Sequence, residues 1–202
     1  MEPLFKWSFF RTNDFAWESD FRNLAPTVDF FTFCGHGFRY DYPYFPGEGA
    51  CHFYTLDSQF NFHMPNDEGN DNANARWGEI VYGPKPRWIL LQTCNQLTNG
   101  GSQEIYNKIG HMMQGANMIM GFADFMYIDA NEAYVLGRYL HSGMTFQNAF
   151  FNAVYECQPR PIRARVFGWI PAEYDRPADY VVGTPSFDAR PSEFTNWDRY
   201  FE

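Results

Sequence analysis

Residues 87–93, Arg-Trp-Ile-Leu-Leu-Gln-Thr, constrain the fold more than any other part of the chain. The run opens after Gly83-Pro-Lys-Pro86 and closes at Cys94-Asn-Gln-Leu97. A short unbroken apolar run between turn signals reads as a buried strand. Two other runs have the same character. Residues 28–34 (Val-Asp-Phe-Phe-Thr-Phe-Cys) end in Gly35-His36-Gly37, which reads as a strand stopping at a turn. Residues 116–122 (Ala-Asn-Met-Ile-Met-Gly-Phe) lie between Gly115 and Ala123-Asp124. Elsewhere the period changes to that of a helix. Over residues 102–113, Ile105, Ile109 and Met112 or Met113 fall on one helical face. Residues 131–142 read as a helix closed by Gly143. Residues 145–157 read as another, with Thr145 as N-cap and Phe146, Ala149, Phe150, Ala153 and Val154 as its apolar face. Residues 163–169 suit one more strand. Strands alternating with helices predict an α/β architecture around a largely parallel sheet.

Two stretches interrupt this alternation within what reads as a single domain. Residues 38–80 form a loop-rich insertion, dense in Tyr, Pro, Gly, Asn and Asp, with an exposed loop over residues 66–74. Its acids do not have the spacing of a calcium-binding EF-hand loop. Residues 171–202 read as a loop-like tail punctuated by Pro171, Pro177, Pro185 and Pro191.

The formal charge of −9 argues against a nucleic-acid partner, because phosphate binding needs clustered Lys and Arg. No apolar run approaches the ~18 residues of a membrane span. The start lacks a basic segment followed by an apolar one, so no secretory signal is expected; a cytoplasmic location is favoured over a secreted one. Cys34, Cys51, Cys94 and Cys157 are scattered without a Cys-x-x-Cys pair, which speaks against a zinc knuckle or a thioredoxin motif. No metal or other cofactor is expected, and the oligomeric state is left open.

Two of the expected strands end in reactive side chains, His36 and Cys94. In open parallel α/β sheets, sites gather at the carboxyl ends of the strands. If these two strands are neighbours, the pair can meet there. An ordinary thiol, with a pKa near ~8.5, is mostly protonated at neutral pH. A nearby imidazole can take its proton and leave a thiolate to attack a carbonyl carbon. The oxygen that becomes negative needs backbone N–H donors, which Gly37 and Cys94 can supply. Each residue also has a plainer reading: a cysteine at a strand end is usually inert packing, and His-Gly is usually a turn. His52 and His63 in the insertion are alternative bases. His111, on the helix expected over residues 102–113, reads as structural, and His141 is a further alternative.

The pattern Phe33-Cys-Gly-His36-Gly37 followed by Trp88-Ile-Leu-Leu-Gln-Thr-Cys94 resembles the clan of caspases, gingipains, legumains and clostripain. The run Met113-Gln-Gly-Ala-Asn-Met-Ile-Met-Gly121-Phe122 is similar to that clan's following strand. A closer resemblance is to a bacterial family named as domain of unknown function 6345. It covers residues 14–185 through Ala16-Trp17-Glu18-x-Asp20-Phe21, Val28-Asp29, Arg87-Trp88 up to Cys94-Asn95-x-Leu97, and residues 137–151. The clan resemblance implies a three-layer caspase-like sandwich. It implies Cys94 as nucleophile, His36 as general acid/base, and the Gly37 and Cys94 amides as the oxyanion hole. Gln92 and Asp124, with Asp129 beside the latter, are the candidates for a substrate-binding wall. The implied function is a cysteine peptidase acting on a peptide or protein. Two other functions stand beside it. One is a repurposed enzyme performing acyl transfer or cyclisation on a small molecule. The other is a binding module with an aromatic face drawn from Tyr40, Tyr42, Tyr44, Phe45, Phe53 and Tyr54.

Overall fold

The computed structural model describes residues 23–40, 48–52, 55–56, 62–63, 74–76, 86–95, 97, 116–169 and 194–201. The three apolar runs become β1 (Phe30–Cys34), β7 (Trp88–Gln92) and β8 (Met118–Phe122), side by side and parallel. Between β1 and β7 the chain forms β2 (His36–Tyr40), β3 (Glu48–His52), β4 (Thr55–Leu56), β5 (Phe62–His63) and β6 (Asn74–Arg76). After β8 come α1 (Ala130–His141), α2 (Phe146–Cys157), β9 (Ile162–Trp169) and β10 (Phe194–Phe201). The main sheet has the order β1-β7-β8-β9-β10.

The sheet is mixed, not largely parallel. β9 runs antiparallel to β8, and β10 antiparallel to β9. The cause lies in the two helices. A single crossover helix carries the chain back across the sheet and makes the next strand parallel. Here α1 and α2 form a hairpin, so the chain returns to the end of the sheet it left. Gly143, at φ +85°, and the Thr145 hydroxyl, which accepts from the Asn148 N–H at 3.3 Å, shape the turn between the helices.

The hairpin packs on one sheet face. Trp88, Leu90, Met118, Met120, Phe122 and Val166 meet Leu136, Leu140, Phe146, Phe150 and Val154 in one buried cluster. Phe146 stacks on Trp88 with ring centroids 4.3 Å apart, and Phe150 meets Phe122 edge-on at 5.7 Å. On alternate positions Ile89, Leu91, Ile119 and Phe167 are buried too. Burial of both faces explains why β7 and β8 are unbroken apolar runs and not alternating ones. The helix expected over residues 102–113 lies outside the described residues; those described include a five-stranded sheet with one helical layer.

The amino ends of the parallel strands are stitched together. The Asp29 carbonyl accepts from the Arg87 and Trp88 N–H groups at 2.9 and 3.1 Å, and the Arg87 carbonyl accepts from Asn117 and Met118. The half-exposed Asp29 carboxylate lies 3.6 Å from the buried Arg87 guanidinium.

Two loop expectations need correction. Gly35-His36-Gly37 does not lead into a loop: after a bend at Gly35 the chain extends again as β2, which pairs with β3, and β3 with β6. A separate two-stranded ladder joins β4 and β5. These strands carry few apolar alternations, so the hydrophobic period that marks half-buried strands missed them. The tail likewise ends in β10, whose Phe-Thr-Asn-Trp-Asp-Arg-Tyr-Phe suits a strand, although the four upstream prolines pointed to a loop. The exposed-loop reading of residues 66–73 lies outside the described residues. No helix among the described residues is long and apolar enough to cross a membrane.

Candidate active site

Five consecutive pairs, from Phe30↔Trp88 to Cys34↔Gln92, hold β1 and β7 in register. The Gly35 N–H extends the ladder by donating to the Gln92 carbonyl at 3.2 Å. His36 and Cys94 each follow two residues after the Cys34–Gln92 pair. The backbone therefore delivers both positions to the same carboxyl rim, on adjacent strands. The His36 side chain lies outside the described residues. In β2, His36 is registered opposite His52 and Gly37 opposite Cys51, so His52 is brought to the same hairpin end. His63 belongs to the separate β4–β5 ladder. His141 ends α1 and is exposed, a helix length from the rim where that helix begins. His111 lies outside the described residues.

The turn that carries Cys94 is clamped from several sides. Asn95 occupies the left-handed region at φ 55°, where its short polar side chain is tolerated better than most. Its N–H donates to the Asp124 carbonyl at 3.0 Å, and the Leu97 N–H donates to the Phe122 carbonyl at 2.9 Å. The buried Arg165 guanidinium donates to the Leu97 carbonyl at 2.7 Å. Gly121 permits this closure: a Cβ there would sit 3.1 Å from the Leu91 carbonyl oxygen and 3.2 Å from Leu97 Cδ1. Cys94 itself is half-buried. Its Sγ accepts from the Met126 N–H at 3.3 Å, and its S–H donates to the Met126 carbonyl at 3.4 Å.

Beside this turn lies a buried polar cluster. Glu132, only 1% exposed, accepts from Gln92 Nε2 at 3.1 Å and from Gln158 Nε2 at 2.6 Å. Gln158, 5% exposed, also grips Tyr127 at both backbone atoms: its Oε1 accepts from the Tyr127 N–H at 2.9 Å, and its Nε2 donates to the Tyr127 carbonyl at 2.7 Å. Burial holds the Glu132 carboxyl above the usual carboxylate range; the two amide donors oppose this, and Asp129 adds to it. Desolvation, and then the Glu132 charge, push the Cys34 thiol up, although part of that side chain reaches the surface. Burial also raises Cys157, reinforced by Asp129, Glu132 and Glu156. Cys34, Cys94 and Cys157 are not disulfide-bonded.

The wall candidates acquire particular places. Gln92 is buried, with its amide nitrogen engaged by Glu132. Asp124 is exposed at the end of β8; its Oδ1 accepts from the Phe125 N–H at 2.9 Å, and its carbonyl holds Asn95. Asp129 is the N-cap of α1 and accepts from the Asn131 N–H at 2.8 Å. Glu132, Gln158, Met126 and Arg165 were not singled out from the sequence. The one available signal was Asp129-Ala-Asn-Glu132, which has capping-box spacing. That pattern sends the glutamate back to the helix start, whereas here its carboxylate turns inward to the two glutamines. Among the described residues, no group of three or more His, Cys, Asp or Glu side chains is placed to hold a metal ion.

A family model described as a domain of unknown function (DUF6345) matches residues 1–198. The chain belongs to that family. No curated protein and no solved structure matches it. In this DUF6345 chain the motif residues fall at both ends of the parallel strands. Asp29 and Arg87 join the amino ends, while Cys94, Asn95 and Leu97 form the clamped turn at the carboxyl ends. The stretch over residues 137–151 spans the helical hairpin with its Gly143 and Thr145 signals.

Proposed function

We propose that this DUF6345 protein is a cysteine-dependent hydrolase of caspase-like type that cleaves amide bonds in peptides or proteins. The observation that carries this reading is the parallel β1–β7 register, with positions 36 and 94 leaving the sheet at equal distance beyond the Cys34–Gln92 pair. Residues distant in sequence but adjacent at a sheet's carboxyl rim are the usual makings of an α/β active site.

The chemistry follows from the thiol's surroundings. Cys94 passes its proton to His36, and its S–H bond to the Met126 carbonyl is given up. The Met126 N–H remains directed at the sulfur and holds it in place. The thiolate adds to the amide carbon, and the resemblance assigns the oxyanion to the Gly37 and Cys94 N–H groups. The C–N bond breaks as His36 returns the proton to the leaving amine. Water, deprotonated by His36, then hydrolyses the thioester and regenerates the thiol.

A mixed peptide library tests the reading. Cleavage is expected in the wild type and in Cys34→Ala, with a loss of at least ~10³-fold in both Cys94→Ala and His36→Ala. Undiminished cleavage by Cys94→Ala overturns it. Turnover of a small acyl donor without any peptide cleavage moves the assignment from hydrolysis of peptides to acyl transfer.

A further inference from the structure

We propose that Glu132 and Gln158 are positioning residues for the Cys94 thiol, acting through the backbone of Met126 and Tyr127. The proposal rests on the assignment of Cys94 as nucleophile. The chain of contacts is continuous. Glu132 holds Gln158 at 2.6 Å, and Gln158 holds both backbone atoms of Tyr127 at 2.9 and 2.7 Å. The neighbouring Met126 presents its N–H and carbonyl to the sulfur at 3.3 and 3.4 Å.

Each link is directional. Because the Tyr127 N–H must meet an oxygen and the Tyr127 carbonyl must meet an N–H, the Gln158 amide has one orientation. Its second amide hydrogen is then aimed at Glu132. In effect the side chain replaces one rung of a β-ladder for residues 125–128, which have no helix or strand of their own. The Met126 side chain is itself anchored in the buried cluster; what Gln158 adds is the height of the neighbouring peptide over the sulfur. Glu132 also takes Gln92, the last residue of β7, so one carboxylate ties the strand leading to Cys94 to the segment capping it. A buried polar cluster adds little net stability over apolar packing of the same volume. What it adds is a single geometry.

The full chain is tested by site-resolved iodoacetamide labelling of Cys94 across pH, with peptide turnover and melting temperature measured in parallel. Gln158→Met keeps the volume and removes every hydrogen bond. Its expected result is about ten-fold slower Cys94 labelling at neutral pH, because the N–H bond to the charged sulfur outweighs the S–H bond to a carbonyl. In parallel, kcat falls with KM little changed. The acids of this rim, Asp124, Asp129 and Glu132, and the thiols of Cys34 and Cys157 are all retained in that variant. Glu132→Ala is expected to act alike. Glu132→Gln is expected to restore wild-type labelling to within roughly three-fold, since its oxygen still accepts from Gln158 and its amide can donate to a turned Gln92.

Unchanged Cys94 labelling in folded Gln158→Met overturns the proposal, as does a change in melting temperature with no change in labelling. If Gln158→Met does not fold, Glu132→Gln and Glu132→Ala decide it: equal labelling rates in those two variants overturn it. The hydrolase assignment fails separately, through retained turnover in Cys94→Ala, whatever Gln158→Met does to labelling.

Discussion

The same two helices build two unlike regions. Toward the middle of the sheet, α1 and α2 contribute Leu136, Leu140, Phe146 and Phe150 to a dry contact with Trp88, Met118 and Phe122. At the carboxyl rim, the first turn of α1 contributes Glu132, and the residue after α2 contributes Gln158, to a buried polar set around Gln92. In the first region the contacts are nondirectional, and what matters is filled volume. In the second, each amide hydrogen is aimed at its own acceptor, and what matters is geometry. Volume-filling contacts and directional ones thus occupy different stretches of one helical hairpin.

Substitutions can break this contrast. The largest effect is expected at Phe150, which is 0% exposed and edge-on to Phe122. Phe150→Ala should cost roughly 3–5 kcal/mol by urea denaturation. A loss below about 1 kcal/mol would place the load elsewhere. Glu132→Ala strands the Gln92 and Gln158 amide donors and should cost roughly 2–3 kcal/mol, with Glu132→Gln close to the wild type near neutral pH.

The Glu132 carboxyl also sets a pH signature. Its folded-state pKa is raised above the ordinary value of 4.5, so the folded chain holds a proton that the unfolded chain releases. Its contribution to stability is full below 4.5 and is lost as pH rises through the raised value. Denaturation midpoints across that window should fall in the wild type and fall less in Glu132→Gln. An equal slope in both would show that the carboxyl does not titrate there.

Thr145→Ala removes the cap of α2 and should cost about 1 kcal/mol, seen as a lower denaturant midpoint with unchanged slope. The smallest effect belongs to the exposed pair Arg138–Glu156, at 2.6 Å, which the Tyr139 hydroxyl also joins. Arg138→Ala should leave the melting temperature nearly unchanged, because exposed pairs are screened by water and salt.

Elements with a strong hydrophobic period were legible in the sequence. β1, β7, β8, α1, α2 and β9 fall within two residues of their expected bounds, and the Gly143 and Thr145 signals mark the hairpin turn as read. The direction of β9 was not read, although two consecutive helices between strands imply it. The strands between β1 and β7 escaped because their backbone pairing leaves little trace in side-chain pattern. At the candidate site, the adjacency of positions 36 and 94 could be argued from strand ends. Glu132 and Gln158 could not: a glutamate in a first helical turn and a glutamine after a helix are ordinary surface residues by type, and only the fold turns them inward.

The reversal of β9 has a consequence for how this rim is enclosed. β9 begins where β1, β7 and β8 end, and the Ala123 N–H donates to the Arg163 carbonyl at 3.0 Å. A departing peptide and an arriving one are therefore laced together at one lip of the sheet. Lengthening the link between the helices at residues 142–145 would leave that lip intact, whereas a residue inserted at 158–161 would shift the incoming thread and unseat everything hung from it.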